Sequence, residues 1–286
     1  MGYLHIDNLY KNQSILYFKE CWALEKLHGT SAHIRWSDNK IWFSSGGESH
    51  VRFSRLFDES TLTEAFSVLG HSTVIVYGEA YGGSQQKQAW RYGSELRFAA
   101  FDVRIGDSWL AVPNADLVVC ALGLEFVHYK RVLTDLSALD AERDAPSEQA
   151  VRNGVAGDKP REGVVLRPIV EFVDNRGERI ICKHKRDEER ETATPRKVVD
   201  PEKLIVLENA AAIAVEWVTE TRLSHVLDKL GNNLSIEATK QVIDAMLEDV
   251  LREGASEIKD SKEARAAISR KAASMFKEHL KKKLCQ

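Results

Sequence analysis

Residues 21–36 read CWALEKLHGTSAHIRW. The run opens as an apolar strand, carries a lysine at Lys26, turns at His28-Gly29 and resumes as a second strand over SAHIRW (31–36). Two readings compete. In the plain one the first strand ends in a turn and Lys26 points into solvent, the usual fate of a strand-end lysine. In the sharper one Lys26 is a nucleophile at the floor of a phosphate site. The stretch alone does not separate them.

The surroundings of this run are mostly strands. KIWFSS (40–45), TVIVYGEA (73–80), ELRFAAFDVRI (95–105), SWLAV (108–112), EGVVLRP (162–168) and RIICKHK (179–185) are rich in β-branched and aromatic residues. Turn formers separate them, among them SDN at 37–39, GG at 46–47 and 82–83, and DNRG at 174–177. Helices are expected around 58–70, 113–123 and 132–142. This is α+β grammar with antiparallel pairings rather than regular β-α alternation. Residues 143–161 hold two prolines and two glycines in a polar run, which predicts a mobile surface segment with a short helix begun by Ser147.

The grammar changes near residue 200. Asp200-Pro201 reads as an N-cap with proline at the first helical position. Apolar residues recur at helical spacing from Leu207 to Leu230, where GNN (231–233) breaks the pattern. A second helix carries Val242, Met246 and Val250 and stops near Gly254. A third opens with Asp260 and Glu263 in capping-box spacing. The expected division is therefore 1–199 and 200–286, the second part a small all-helical domain.

Composition narrows the class. The chain has 286 residues, 43% hydrophobic and 29% charged, with a net charge of -3. These are values of an ordinary globular protein. They argue against wholesale coating of nucleic acid but leave room for a local basic patch. No apolar run reaches membrane-spanning length and the N-terminus lacks signal-peptide features. Cys21, Cys120, Cys182 and Cys285 lie far apart with no CxxC pair, as idle thiols of a reducing compartment do. A cytoplasmic location is the expectation.

Five stretches carry the chemistry: EKLHGTS (25–31), VYGEAYGG (76–83), LRFAAFDV (96–103), REGVVLRP (161–168) and CKHK (182–185). Each has an ordinary structural reading by itself. Together they do not. Lys183 and Lys185 are two apart on a strand and share a face, and paired ammonium groups suit a polyphosphate. Glu79 and Glu162 offer oxygen acceptors for a ribose hydroxyl and for a hard divalent cation. A strand aromatic offers a face to a purine.

In type and order the five stretches resemble motifs I, III, IIIa, IV and V of the covalent nucleotidyltransferases, and the KxHG form of the first resembles the type 2 RNA ligase family. The resemblance covers roughly residues 7–190. It implies a nucleotidyltransferase fold of antiparallel sheets with flanking helices, followed by a small helical domain. It implies that Lys26 attacks the α-phosphorus of ATP to form lysyl-AMP, with His28 acting in that step. Glu25 and Glu79 would contact the nucleotide, the latter at the ribose, and Phe98 would stack on the adenine, with Phe101 as the alternative ring. Glu162 would bind Mg2+ or Mn2+ through water, and Lys183 and Lys185 would grip the α-phosphate. The implied substrate is RNA with 5′-phosphate and 3′-hydroxyl ends, a duplex nick included, with end-processing enzymes as possible partners. Two departures stand out: Ser31 replaces the family's usual Asn, and no arginine precedes Arg52 and Arg55 where the family has one about twenty residues after the lysine. Two other readings stay open, a small ATP-dependent DNA-nick ligase and a nucleic-acid-binding module that has lost sealing.

Overall fold

The computed structural model describes residues 2–195, 197–198, 206–231 and 234–284. The chain divides into two compact units, one through Arg186 and one from Asp187.

The first unit holds nine strands among the described residues: β1 (Glu20–Lys26), β2 (Gly29–Ser37), β3 (Lys40–Ser45), β4 (Thr73–Gly82), β5 (Leu96–Ile105), β6 (Ser108–Trp109), β7 (Tyr129–Leu133), β8 (Gly163–Pro168) and β9 (Cys182–Lys185). They form two antiparallel sheets, ordered β7-β1-β8-β9 and β3-β2-β4-β5-β6. Six helices accompany them: α1 (His50–Ser54), α2 (Glu59–Leu69), α3 (Ala89–Tyr92), α4 (Val112–Ala121), α5 (Leu136–Asp144) and α6 (Glu148–Arg152). The α+β class expected from the sequence, with antiparallel sheets and flanking helices, is what the chain adopts.

Period-two burial fixes which way the larger sheet faces. On β2, Ala32, Ile34 and Trp36 are buried in the apolar core, and Ser31, His33 and Arg35 lie on the other face. Trp36 stacks on Phe66 of α2 at 5.6 Å between centroids. Phe98 belongs to this core, edge-on to Phe53 and Phe57 at 5.6 Å. Gly78 makes room for it, since a Cβ there would stand 2.5 Å from the Phe98 ring.

Local sequence explains most boundaries and most of the differences. Asp58 caps α2 by accepting from the Thr61 amide, and Gly70 closes it at φ +70°. SWLAV does not continue as a strand: β6 ends at Trp109, and Pro113 in the first turn favours α4 from Val112. The expected helix at 132–142 starts later, because Tyr129–Leu133 pairs with β1 and Asp135 supplies the cap for α5. Residues 143–161 are mostly exposed or half-buried, as expected of a surface run, but part of the run is anchored inside. Ser147 does begin a helix, α6, but Ser147, Gln149, Ala150 and Arg161 are buried. Arg161 binds the carbonyls of Glu142 and Pro146 and the Glu142 carboxylate, which satisfies an otherwise costly buried charge.

An ion network ties the two sheets. Asp102 of β5, fully buried, pairs with Arg167 of β8 at 3.0 Å and with Arg179 at 2.7 Å, and accepts from the Tyr3 hydroxyl at 2.6 Å. Ahead of β1 the chain laps onto β9: the Leu9 amide donates to the Lys183 carbonyl and the Lys183 amide to the Asp7 carbonyl, both at 2.8 Å.

The second unit carries α7 (Ala210–Trp217), α8 (Glu220–Leu230), α9 (Thr239–Glu253) and α10 (Lys262–Leu284) around Ile213, Trp217, Val226, Met246, Val250, Ile268 and Phe276. The Asp200-Pro201 cap and residues 232–233 of GNN lie outside the described residues. The apolar pattern from Leu207 to Leu230 is not one helix. Leu207 bridges to Ile258, and Thr219 interrupts the pattern by capping α8. Ser261, not Asp260, caps α10 through the Ala264 amide, while Asp260 is taken up by Arg265. Buried Arg222 pairs with Asp249 and with Glu191 at 3.3 Å. No described helix is long and apolar enough to cross a membrane.

Removing a partner from a buried ion pair strands the remaining charges, so Asp102→Ala should cost about 3–5 kcal/mol. Chemical denaturation of parent and variant checks this.

Candidate active site

Lys26, Gly163 and Lys185 lie in one row across three strands, because β1 pairs Lys26 with Gly163 and β9 pairs Lys185 with the same glycine. The row needs glycine at its centre: φ is +156°, and a Cβ there would meet the His184 carbonyl at 2.2 Å. One residue before it, Glu162 reaches both lysines. Its Oε2 is 2.8 Å from Lys26 Nζ and its Oε1 is 3.0 Å from Lys185 Nζ. The carboxylate is nearly sealed, 3% exposed, and the Lys26 side chain is 24% exposed. Burial alone would raise the Glu162 pKa. The Lys26 and Lys185 ammonium groups, with His28, outweigh it and hold the carboxyl well below its usual range.

Of this row, Lys26 lines a cleft of about 210 Å³ formed by both sheets and by the chain ahead of β1. Leu24, Lys26, Val165 and Arg167 come from the smaller sheet, Ser31, Glu79 and Phe101 from the larger, and Tyr3, Leu4 and Ile6 from the N-terminal segment. Glu79 Oε1 accepts from the Gly29 amide at 3.1 Å, so it fixes the turn that follows Lys26. Burial pushes its carboxyl up to about 8, against the pull of Lys26 and with the nearby Glu162 adding to the rise. At neutral pH it can therefore donate a hydrogen bond as well as accept one.

Other residues singled out in the sequence fall as follows. His28 is buried, its amide donates to the Tyr92 hydroxyl at 3.2 Å, and its side chain acts electrostatically on Glu162. Lys183 shares the Lys185 face of β9 and stands opposite Val165 of the cleft. Glu25 and Lys26 necessarily point to opposite faces of β1. Accordingly the Glu25 carboxylate is engaged away from the lysines, accepting from the Ser147 hydroxyl and from the Gln149 amide at 3.2 Å. Phe98 lies in the core, whereas Phe101, next to Asp102, lines the cleft. Arg52 pairs with Glu48 at 3.2 Å, and neither it nor Arg55 is among the cleft-lining residues.

Sequence reasoning missed Arg167, Tyr3 and the bracing role of Ser147. Arg167 had a visible signal, since it shares the Gly163 and Val165 face of an otherwise apolar strand. Tyr3 had none, because its position depends on a loop lapping a distant strand edge. Among the described residues no three His, Cys, Asp or Glu side chains gather into an all-protein metal cage.

Two outcomes follow from the braces. Ser147→Ala removes both a helix cap and a donor to Glu25, and should cost about 0.5–2 kcal/mol by thermal unfolding. For Glu79, the unfolded carboxyl ionises near its ordinary value of 4.5, while the folded one keeps its proton to about 8. Its contribution to stability is thus full at low pH and is lost as pH rises through that window. Glu79→Gln removes this loss, so the melting temperature of the variant relative to the parent should climb between pH 5 and pH 8. An unchanged difference across that range would contradict the assignment.

The RNA ligase family model matches residues 19–185. Among solved structures, a point mutant of Naegleria gruberi RNA ligase with ATP and Mn is similar at a TM-score of 0.52 and 16% identity, covering 66% of this chain and 57% of that one. Another mutant of that enzyme, with AMP and Mn, is similar at a TM-score of 0.52 and 15% identity over 66% of this chain and 56% of that one. The same ligase with PPi is similar at a TM-score of 0.51 and 15% identity, with the same coverage. This chain thus spans little more than half the length of these structural relatives. No curated protein sequence matches it. The matched residues run from just before β1 to Lys185, and so enclose every side chain of the lysine–carboxylate row: the chain belongs to the RNA ligase family.

Proposed function

We propose that this chain is an ATP-dependent RNA ligase that works through a covalent adenylate on Lys26. The observation that carries the reading is the pair of ammonium groups, Lys26 and Lys185, gathered on one buried carboxylate beside an open cleft. In the first step Lys26 Nζ attacks the α-phosphorus of ATP. A P–N bond forms, the P–O bond to pyrophosphate breaks, and the amine loses a proton. Lys185 and Lys183 offset the negative charge on the α-phosphate and the leaving pyrophosphate, a job of positioning and electrostatics. His28 adds to the field at the same carboxylate. AMP then passes to an RNA 5′-phosphate, which frees Lys26, and a 3′-hydroxyl displaces AMP to join the ends.

Phe101 rather than Phe98 offers the adenine a face, since Phe101 is the ring that lines the cleft. Glu79, with a carboxyl titrating near 8, suits a ribose hydroxyl as donor or acceptor. Glu162, together with phosphate oxygens of the nucleotide, would fit the oxygen preference of Mg2+ or Mn2+, which is often held by one or two carboxylates plus substrate phosphates. Such an ion would neutralise phosphate charge. The relatives solved with ATP and Mn, with AMP and Mn, and with PPi support this set of ligands.

The test uses ATP labelled at the α-phosphate with a divalent cation, followed by denaturation. Label should stay on the parent chain and be absent from Lys26→Ala. No label on folded parent protein, first stripped of AMP with pyrophosphate, would overturn the reading. Offering 5′-phosphorylated RNA and DNA ends to the labelled protein should give joined RNA; exclusive joining of DNA would replace RNA ligase with the DNA-nick reading.

A further inference from the structure

The face of the larger sheet that carries Ser31 and Glu79 does not stop at the nucleotide cleft. Along β2 it continues through His33 and Arg35, and Arg35 lies about 13 Å beyond Ser31, four residues at roughly 3.3 Å each. Directly across from Arg35 on β3 is Trp42, which is 57% exposed, and Lys40 follows on the same face two residues away. In the other direction His33 lies 5.8 Å from Tyr77, and Arg104 sits 5.8 Å over Trp109. An unburied tryptophan opposite an arginine, on a face whose far side is a full apolar core, needs a physical reason. Packing gives none.

Charge gives one. Arg35 and Lys40 make no ion pair among the described residues, and Arg104 pairs only with Asp107 at a hairpin tip. Asp38 is also at a tip, in the left-handed turn between β2 and β3, and Asp102, beside Tyr77, is spent on Arg167 and Arg179. Tyr77 is buried and Trp109 is covered by Arg179 at 4.1 Å, so the open part of the face is Trp42 between Arg35 and Lys40. An exposed ring flanked by separated cations matches a single nucleic-acid strand: cations meet phosphates, and the ring stacks on a base without sequence preference.

We propose that this strip binds single-stranded RNA leading away from Lys26, with Trp42 as a stacking platform and Arg35 and Lys40 as phosphate contacts. The assignment rests on the ligase reading, and it adds the route by which the strand leaves the reactive centre. It also gives the chain cations on β2 and β3 where no arginine of the β3–α1 region lines the cleft.

The experiment measures binding of a short, fluorescein-labelled, 5′-phosphorylated single-stranded RNA to the full chain by anisotropy, alongside labelling by ATP. Trp42→Ala should weaken RNA binding about tenfold, as loss of one stacked base does, and Trp42→Phe should recover most of it. Arg35→Ala should weaken binding and lower the slope of log affinity against log salt by about 0.7, one phosphate on a single strand. Neither side chain touches the lysine–carboxylate row, so label on Lys26 should match the parent in all three variants. Parent-like RNA affinity in both alanine variants, or no RNA binding by the parent, would overturn the strip. RNA binding that depends on Trp42 without any label on Lys26 would instead overturn the ligase reading alone.

Discussion

Glu162 bridges two lysines at once, and the rest of the site follows from that arrangement. A single carboxylate, nearly closed to solvent, can stay ionised there only because Lys26 and Lys185 flank it. The two lysines can flank it only because three strands are in register at Gly163. Strand pairing thus sets the distance between the ammonium groups, and the missing side chain at the centre lets the backbone of β9 close in. The ammonium groups are spaced in advance, so the proposed polyphosphate would meet them with little reorganisation.

Around the row, each strand end is held by something outside its own sheet. Glu79 of the larger sheet grips the turn after Lys26, and Glu25 on the reverse side of β1 is tied to the start of α6. Asp102 connects β5 to β8 and to Tyr3. Lys26 therefore has a braced backbone beneath it and a partly exposed tip, the combination that the proposed nucleophile requires.

Much of this was legible in the sequence for a simple reason. Strand alternation says which residues share a face, so the pairing of Lys183 with Lys185 is readable from spacing; the same alternation puts Glu25 on the opposite side from Lys26, which the nucleotide role expected for Glu25 overlooked. Turn chemistry gave the ends of β2, β3 and α2 through Asn39, Gly46, Asp58 and Gly70. What failed was anything set by distant contact. Phe98 and Phe101 are three apart on a strand and so fall on different faces, but a register shift in the β4–β5 pairing beside them hides which face is which. Within the polar run at 143–161 three groups are spent inside: Ser147 on Glu25, Gln149 on Tyr81 and Glu125, Arg161 on Glu142. Composition cannot distinguish a polar residue facing water from one facing a buried partner. Likewise, helical periodicity from Leu207 to Leu230 was unable to reveal the break at Thr219, since the apolar residues on both sides enter the same core.

The lap of Asp7–Leu9 over β9 has a meaning apart from the cleft. Without it, β9 would present the bare edge of a sheet, with amide and carbonyl groups ready to recruit a strand from another molecule. The same few residues that bring Tyr3 to the cleft occupy those groups with their own backbone. Damage to this segment would thus act twice, opening the cleft wall and exposing a seed for aggregation. Loss of activity and loss of colloidal stability would then share one origin.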